Sequence, residues 1–315
     1  LNNLKDISLD PRFAAICGCT DADPDTVFAP ELDGLDREAI RTRCNGYSRR
    51  GDARLRNPFD VLPLLRKREF RPCWFRAGAP RFLFETLKAG SVGPMEPEGR
   101  LADRSPVARF EGGGISAEAL LFQTGPLTVT GERSDGFDTL HKPDHPNREV
   151  RISLNRGLLR HLGRAVTEAA GRGRDLCTRL GTGDPEGFAE TLRAWPAGIP
   201  CQGHAAGARA RYAAWHAGLL HMAFRSIGVE VQSEAASGHG RAGMVVHLGD
   251  QVFILEFKMA DSADAAEVAL DAAFTRMREK GYAEGCRDHD GPVHLIAIAC
   301  GREARNLLEV RAERV

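Results

Sequence analysis

Glu256-Phe257-Lys258 follows the apolar run Val252-Phe253-Ile254-Leu255, and its residue types and spacing are those of a site that could do chemistry. Alternate side chains of a strand share a face, so Glu256 and Lys258 point one way and Phe257 the other. Opposite charges at the end of an apolar strand are costly to bury unless they pair or are put to use. A carboxylate there can hold Mg²⁺, and a lysine two residues on can orient water or stabilise negative charge on a phosphate. A plain ion pair at a strand end is the competing reading, and the bare spacing does not decide between them.

The elements that must position this pair are clearest in the last 110 residues. Residues 208–227 predict a helix rich in alanine and aromatics, stopped by Gly228. Val229-Glu230-Val231 predicts a short strand and residues 243–248 a second, with Gly249-Asp250 as a tight hairpin turn. Residues 252–259 form a third strand, apolar on both faces at first, as a sheet centre would be. Ser262 caps a helix carrying Ala266, Leu270, Ala273 or Phe274, and Met277, with Gly281 at its end. Residues 293–300 give a fourth strand, followed by a short helix. A hairpin followed by a helical crossover makes a mixed sheet with helices on both faces.

The first ninety residues read as short helices joined by polar turns. Asp36 caps a segment running through Ile40, and Asn57-Pro58-Phe59-Asp60 opens another with Val61, Leu62, Leu64 and Leu65. Phe70, Trp74, Phe75, Phe82, Phe84 and Leu87 offer a small aromatic core, and residues 89–100 have the composition of a linker. Residues 120–130 predict a strand broken by Gly125-Pro126, with a turn over 131–136. Asn147 is a good N-cap for a helix with Val150, Leu154, Leu158, Leu162 and Val166 on one stripe. Arg156, Arg160 and Arg164 line another stripe. A strand pair followed by a basic helix suits a small winged module touching DNA, and a solvated arginine face suits the same pattern. A Gly-rich helical stretch with Leu176, Leu180, Phe188 and Leu192 leads to Ile199-Pro200.

Three hundred and fifteen residues predict two or three domains, and 42% hydrophobic residues suffice for their cores. No apolar run approaches the ~20 residues of a membrane span and no signal-peptide pattern opens the chain, so a cytoplasmic protein without a membrane partner is expected. Lys plus Arg and Asp plus Glu are equal at 43, which excludes a globally basic nucleic-acid binder. The balance hides a segment of charge +8 between Arg41 and Arg76, preceded by nine acids between Asp6 and Glu38 that oppose Arg12 and Arg37. The two segments are expected to answer each other or solvent. Eight cysteines show no CxxC pair and no zinc spacing, so free thiols in a reducing compartment are expected. The first residue is Leu1 rather than Met, as expected for the tail of a longer protein or an unusual start codon.

The C-terminal segment resembles the PD-(D/E)XK nuclease-superfamily domain found behind an AAA-ATPase-like domain in a group of bacterial proteins. The matching stretches are Gly240-Arg241-Ala242, Ile254-Leu255-Glu256-Phe257-Lys258, Lys280-Gly281-Tyr282-Ala283-Glu284 and Val293-His294-Leu295-Ile296-Ala297-Ile298. The front of the chain resembles the carboxyl-terminal part of the ATPase-like domain of that group. Leu1-Asn2-Asn3-Leu4-Lys5-Asp6-Ile7, Val27-Phe28-Ala29-Pro30-Glu31-Leu32, Asn45-Gly46-Tyr47, Asn57-Pro58-Phe59-Asp60 and Arg66-Lys67-Arg68-Glu69-Phe70 carry that likeness. Phe122-Gln123-Thr124-Gly125 and Pro146-Asn147-Arg148-Glu149-Val150 are similar to its connecting module.

The resemblance implies an α/β chain in three parts. Residues 1–95 would be a mainly helical, ATPase-lid-like part and 96–205 a small winged-type connector. Residues 206–315 would form a restriction-endonuclease-like αβββαβ domain. The string G-x-x-x-x-G-K-[ST] does not occur in these residues and in the family lies upstream of this stretch, so ATP is expected only for a longer parent protein. The nuclease half would offer a Glu after Arg211-Tyr212, where Ala213 stands. It would also offer an Asp after Gly240-Arg241-Ala242, where Gly243 stands, and a Gln where Arg276 stands. Glu256 and Lys258 remain as catalytic residues, with Glu256 the metal ligand and Mg²⁺ held weakly or lost. Glu234, Asp250, Asp261 and the softer His239 are the candidate replacement ligands. Cys19, Cys44, Cys73, Cys201 and Cys286 stand where the family pattern puts Tyr, and Arg43 or Arg49 where it puts Trp, which suggests a diverged copy.

The expectation is a DNA-related protein with a depleted metal site and little cleavage. Nucleic-acid contacts would fall to Arg156, Arg160, Arg164 and Arg241, with homo-oligomerisation open. A working Mg²⁺-dependent endonuclease using Glu256 and Lys258, and a non-catalytic interaction module, are the alternatives.

Overall fold

The computed structural model describes residues 7, 10–16, 18–48, 54–69, 83–85, 117–134, 139–162, 167–168, 171–194, 208–233, 243–281, 290–301 and 307–314. It divides into two compact units, residues 1–157 and 158–315, and the division falls within one helix.

In the first unit, α1 (Ala22–Val27) is followed by Phe28, Leu32 and Leu35, which pack with Ile40 and Cys44 of α2 (Arg37–Cys44) and Val61, Leu64 and Leu65 of α3 (Pro58–Lys67) in a small core. Asp36 caps α2 as expected, its carboxylate accepting from the Glu38 and Ala39 amides at 2.9 and 3.1 Å. Between the acidic and basic segments Arg56 pairs with Asp21 at 2.6 Å, and Arg68 donates to the backbone carbonyl of Asp33 at 2.6 Å. Of the expected aromatic core, Phe84 is buried, and Phe70, Trp74, Phe75, Phe82 and Leu87 lie outside the described residues.

Residues 120–130 do not form one broken strand. Ala117–Thr124 is helix α4, and the strand β1 starts only at Thr128 and runs to Ser134, through part of the expected turn. Ala-Glu-Ala-Leu-Leu is strongly helix-forming, and Gly125 with positive φ ends it. β1 pairs antiparallel with β2 (Thr139–Asp144), so a strand pair does precede the helix, but from residues later than those expected. Helix α5 (Arg148–Leu162) follows, and the Asn147 side chain accepts from the Val150 amide at 2.9 Å as its cap.

Gly46 in the Asn45-Gly46-Tyr47 stretch has φ +115°, and a Cβ added there would lie 1.6 Å from the Pro146 carbonyl oxygen. Backbone cannot give way as a side chain does, so Gly46→Ala is expected to cost more than about 2 kcal/mol. A urea melt that leaves the variant within ~0.5 kcal/mol of the wild type contradicts this contact.

Asp60 is buried in α3, and burial first and the Glu149 carboxylate second push its carboxyl up to about 6. The folded state therefore holds this proton more tightly than the unfolded chain. The resulting stability is full below the unfolded value near 4 and is lost as pH rises through about 6. Asp60→Asn is expected to flatten that fall, raising stability at neutral pH by on the order of 2 kcal/mol; equal denaturation slopes against pH in both proteins would contradict it.

The second unit is built on a five-stranded mixed sheet in the order β3 (Glu230–Ser233), β4 (Gly243–Leu248), β5 (Gln251–Ala260), β6 (Val293–Gly301), β7 (Leu307–Arg314). β5 and β6 are parallel, and the other neighbours are antiparallel. β5 is central and buried because it is apolar on both faces. Phe253, Leu255 and Phe257 face a core shared with α6 (Gly173–Gly181), α7 (Pro185–Arg193) and α8 (Ala208–Ser226). Val252, Ile254 and Ala260 face α9 (Ala266–Glu279), through Leu270, Ala273, Phe274 and Met277. Gly228, with φ 89°, follows α8, and the Val229 amide closes its last turn on the Phe224 carbonyl at 3.1 Å. Gly249, with φ 63°, makes the β4–β5 turn.

Two expectations are corrected. The segment after β6 is not a short helix but β7, paired antiparallel with β6. Its Leu, Glu, Arg and Ala favour a helix locally, and the open edge of β6 overrides that preference. The helices α6 and α7, placed by sequence in a connector ending at 205, pack Leu176, Leu180, Phe188 and Leu192 into the same core as the sheet. Among the described residues no helix is long and apolar enough to cross a membrane.

Candidate functional site

Strand alternation and the sheet's two covered faces put Glu256 and Lys258 together on the side of α9, as the sequence spacing requires. Glu256 is 1% exposed. Lys258 Nζ lies 3.1 Å from Glu256 Oε1. Arg276, reaching in from α9, brings its Nε to 3.3 Å from the same oxygen. Lys258 and Arg276 side chains are 25% and 21% exposed, so the two cations form the wetter side of a cluster whose carboxylate is sealed beneath. Neither carboxylate oxygen gains an aligned hydrogen bond among the described residues, so the Coulombic contacts carry the stabilisation.

Helix α9 is held over the sheet by more than its apolar stripe. At the far edge Arg311 of β7 pairs with Asp271 at 2.7 Å and with Glu267, and Arg278 pairs with Glu313. Arg276 stands one turn from Ala273 and beside Met277, on the rim of the buried stripe, which turns it inward toward β5.

Across the ladder, Glu256 is opposite Gly243 on β4 and Ala297 on β6. Directly opposed antiparallel residues hold their Cβ atoms about 4.5–5.5 Å apart on one face. Position 243 is therefore where a second carboxylate would meet Glu256, and a glycine occupies it. Asp250 lies in the β4–β5 turn at the other end of the strand, and Asp261 is exposed just past the β5 end. Glu234, His239, Arg241 and the side chain of residue 213 lie outside the described residues. Among the described residues no group of three or more His, Cys, Asp or Glu is placed to hold a metal ion. Among the described residues the donor set around Glu256 does not fit Mg²⁺: two cations already flank its carboxylate, and no second carboxylate is there to offset their charge.

Of the arginines expected to touch nucleic acid, Arg156 and Arg160 are exposed on α5, and Arg164 lies outside the described residues. The thiols at Cys19, Cys177 and Cys300 are free, and burial pushes Cys177 and Cys300 up to about 12. Such thiols are poor nucleophiles and poor metal ligands. Arg276 is the site residue whose role the sequence did not reveal. Its signal was the family position alone, where it replaces a neutral Gln.

Residues 213–310 match the family described as the PD-(D/E)XK nuclease superfamily, and the mixed sheet with helices on both faces is consistent with that fold. Nucleases of this superfamily generally use Mg²⁺ or another divalent metal. The chain is also 38% identical over 311 residues to the uncharacterized protein in the vnfD 5′ region of Azotobacter chroococcum mcd 1. That alignment covers 98% of this chain and 58% of the relative, so the chain spans a little over half of the relative's length. No solved structure matches the chain.

The buried ion cluster sets a stability prediction. Glu256→Ala leaves two facing cations without their counter-charge and is expected to destabilise the second unit by about 3 kcal/mol. Lys258→Ala, with its head partly in water, is expected to cost about 1 kcal/mol. Urea denaturation followed by far-ultraviolet circular dichroism measures both; equal losses would show that the burial of Glu256 is not what matters.

Proposed function

We propose that the second unit is a nucleic-acid-handling module of the PD-(D/E)XK fold whose metal site is depleted and which cleaves little or nothing by itself. The observation that carries the reading is the pairing of Glu256 with Gly243 across the β4–β5 ladder while Arg276 holds its carboxylate. The family match at 213–310 supports the nuclease origin. DNA is the expected partner, through Arg160 of this unit and Arg156, which precedes it by one turn on the same helix. The likeness of the front of the chain to the carboxyl-terminal part of an AAA-ATPase-like domain supports a longer parent. In such a parent an ATP-dependent part would act on this module. The relative, which extends well beyond the aligned region, fits that arrangement.

A plasmid-nicking assay with Mg²⁺ and Mn²⁺ tests the catalytic half of the reading. The wild-type chain is expected to leave supercoiled plasmid intact. Cleavage by the chain that disappears in Lys258→Ala would establish a working phosphodiesterase and overturn the depletion. Fluorescence anisotropy on duplex DNA tests the other half. Affinity is expected to fall with rising salt, and neutralising Arg156 and Arg160 to reduce the salt slope by about 1 for each phosphate they would otherwise neutralise. Affinity that ignores salt and both substitutions would favour a protein-interaction module.

A further inference from the structure

We infer that Arg276 stands where a divalent cation would stand and serves as a fixed counter-charge that closes Glu256 to metal. The inference deepens the reading of Glu256 as a depleted metal ligand. The guanidinium reaches Glu256 Oε1 at 3.3 Å while Lys258 reaches the same oxygen at 3.1 Å, so this buried carboxylate already has two cations against one of its oxygens. A metal ion would be left with Oε2 of the same carboxylate, and would sit against a guanidinium that cannot lose its charge. The strand neighbours Gly243 and Ala297 offer no side-chain donor to offset that repulsion.

Arg276 is also not free to swing away at little cost. Its helix is fixed by Leu270, Phe274 and Met277 on one side and by the ion pairs of Arg311 and Arg278 at the β7 edge. Turning the side chain out to solvent would leave Glu256, 1% exposed, with Lys258 as its one cation among the described residues. A tethered cation needs no binding from solution, so the charge of Glu256 is met whatever the metal concentration. The domain is thus expected to fold and hold its site in a chelator as well as in metal.

The test reads metal binding without nucleic acid. Melting of the full chain is followed in EDTA, in millimolar Mg²⁺ and in millimolar Mn²⁺, with isothermal titration of Mn²⁺ alongside. The wild type is expected to melt within about 1 °C in all three. Gly243→Asp with Arg276→Gln supplies a second carboxylate and removes the tethered cation. It is expected to melt lower in EDTA, to rise by about 4 °C or more in Mn²⁺, and to bind Mn²⁺ about 10-fold or more tightly than the wild type. Arg276→Met, which keeps the apolar stem and drops the charge, is the second variant. Mn²⁺ is expected to raise its melting temperature while leaving the wild type unmoved. A wild type that Mn²⁺ stabilises as much as the variants, or folded variants that Mn²⁺ leaves unmoved, overturns the inference. DNA is absent from these measurements, so failure of the nucleic-acid reading and failure of this one are seen in different experiments.

Discussion

The burial of one carboxylate on the central strand organises the second unit. A charge as sealed as Glu256 must be met inside the protein, because water does not reach it. Two cations from two elements meet it, Lys258 from the same strand and Arg276 from the helix above. This couples two choices that sheets and helices usually make separately. A slip of β5 by one residue would turn Glu256 into the apolar face of Leu219, Phe224 and Val231, and would bring Phe257 under Arg276. The register of β5 and the seat of α9 therefore stand or fall together.

The seat of α9 is secured from the opposite edge. β7 alternates charged and apolar residues, with Val310 and Ala312 packing against the core below and Arg311 and Glu313 reaching α9. These charges also serve the strand itself. An edge strand exposes a row of unpaired backbone groups, and charged side chains along it discourage pairing with another chain. One set of residues thus blunts the edge and aligns the helix that carries Arg276.

Most of this architecture was legible where the signals are local. The β4–β5 hairpin follows from Gly249-Asp250 between two strand patterns, and α2, α5 and α8 from Asp36, Asn147 and Gly228 at their ends. Glu256 and Lys258 were legible as a pair because period-2 alternation fixes their common face. What was not legible depends on distant partners. β7 has a helix-forming composition, and its strand exists because β6 offers an edge. α4 was obscured by the strand beginning just after it, at Thr128. The grouping of α6 and α7 with the sheet rests on contacts such as Arg193 to Glu309 at 2.6 Å, 116 residues apart in sequence. Arg276 belongs to the same class: 20 residues separate it from Glu256, and only the packing of α9 brings them together.

On the reading proposed above, Gly243 and Arg276 make sense together, as one exchange of charge around Glu256. Two strand carboxylates, one lysine and one divalent cation sum to a single positive charge. Glu256, Lys258 and Arg276 sum to the same charge with no ion from solution. Losing the carboxylate at 243 alone would leave any bound divalent ion under-neutralised. Gaining a guanidinium at 276 alone would set it against that ion. Made together, the two changes would keep the electrostatic balance that a buried Glu256 demands and would remove the dependence on metal. The contacts that would exclude a divalent ion are also the ones that meet the charge of a buried Glu256, so its place on the central strand rests on stability.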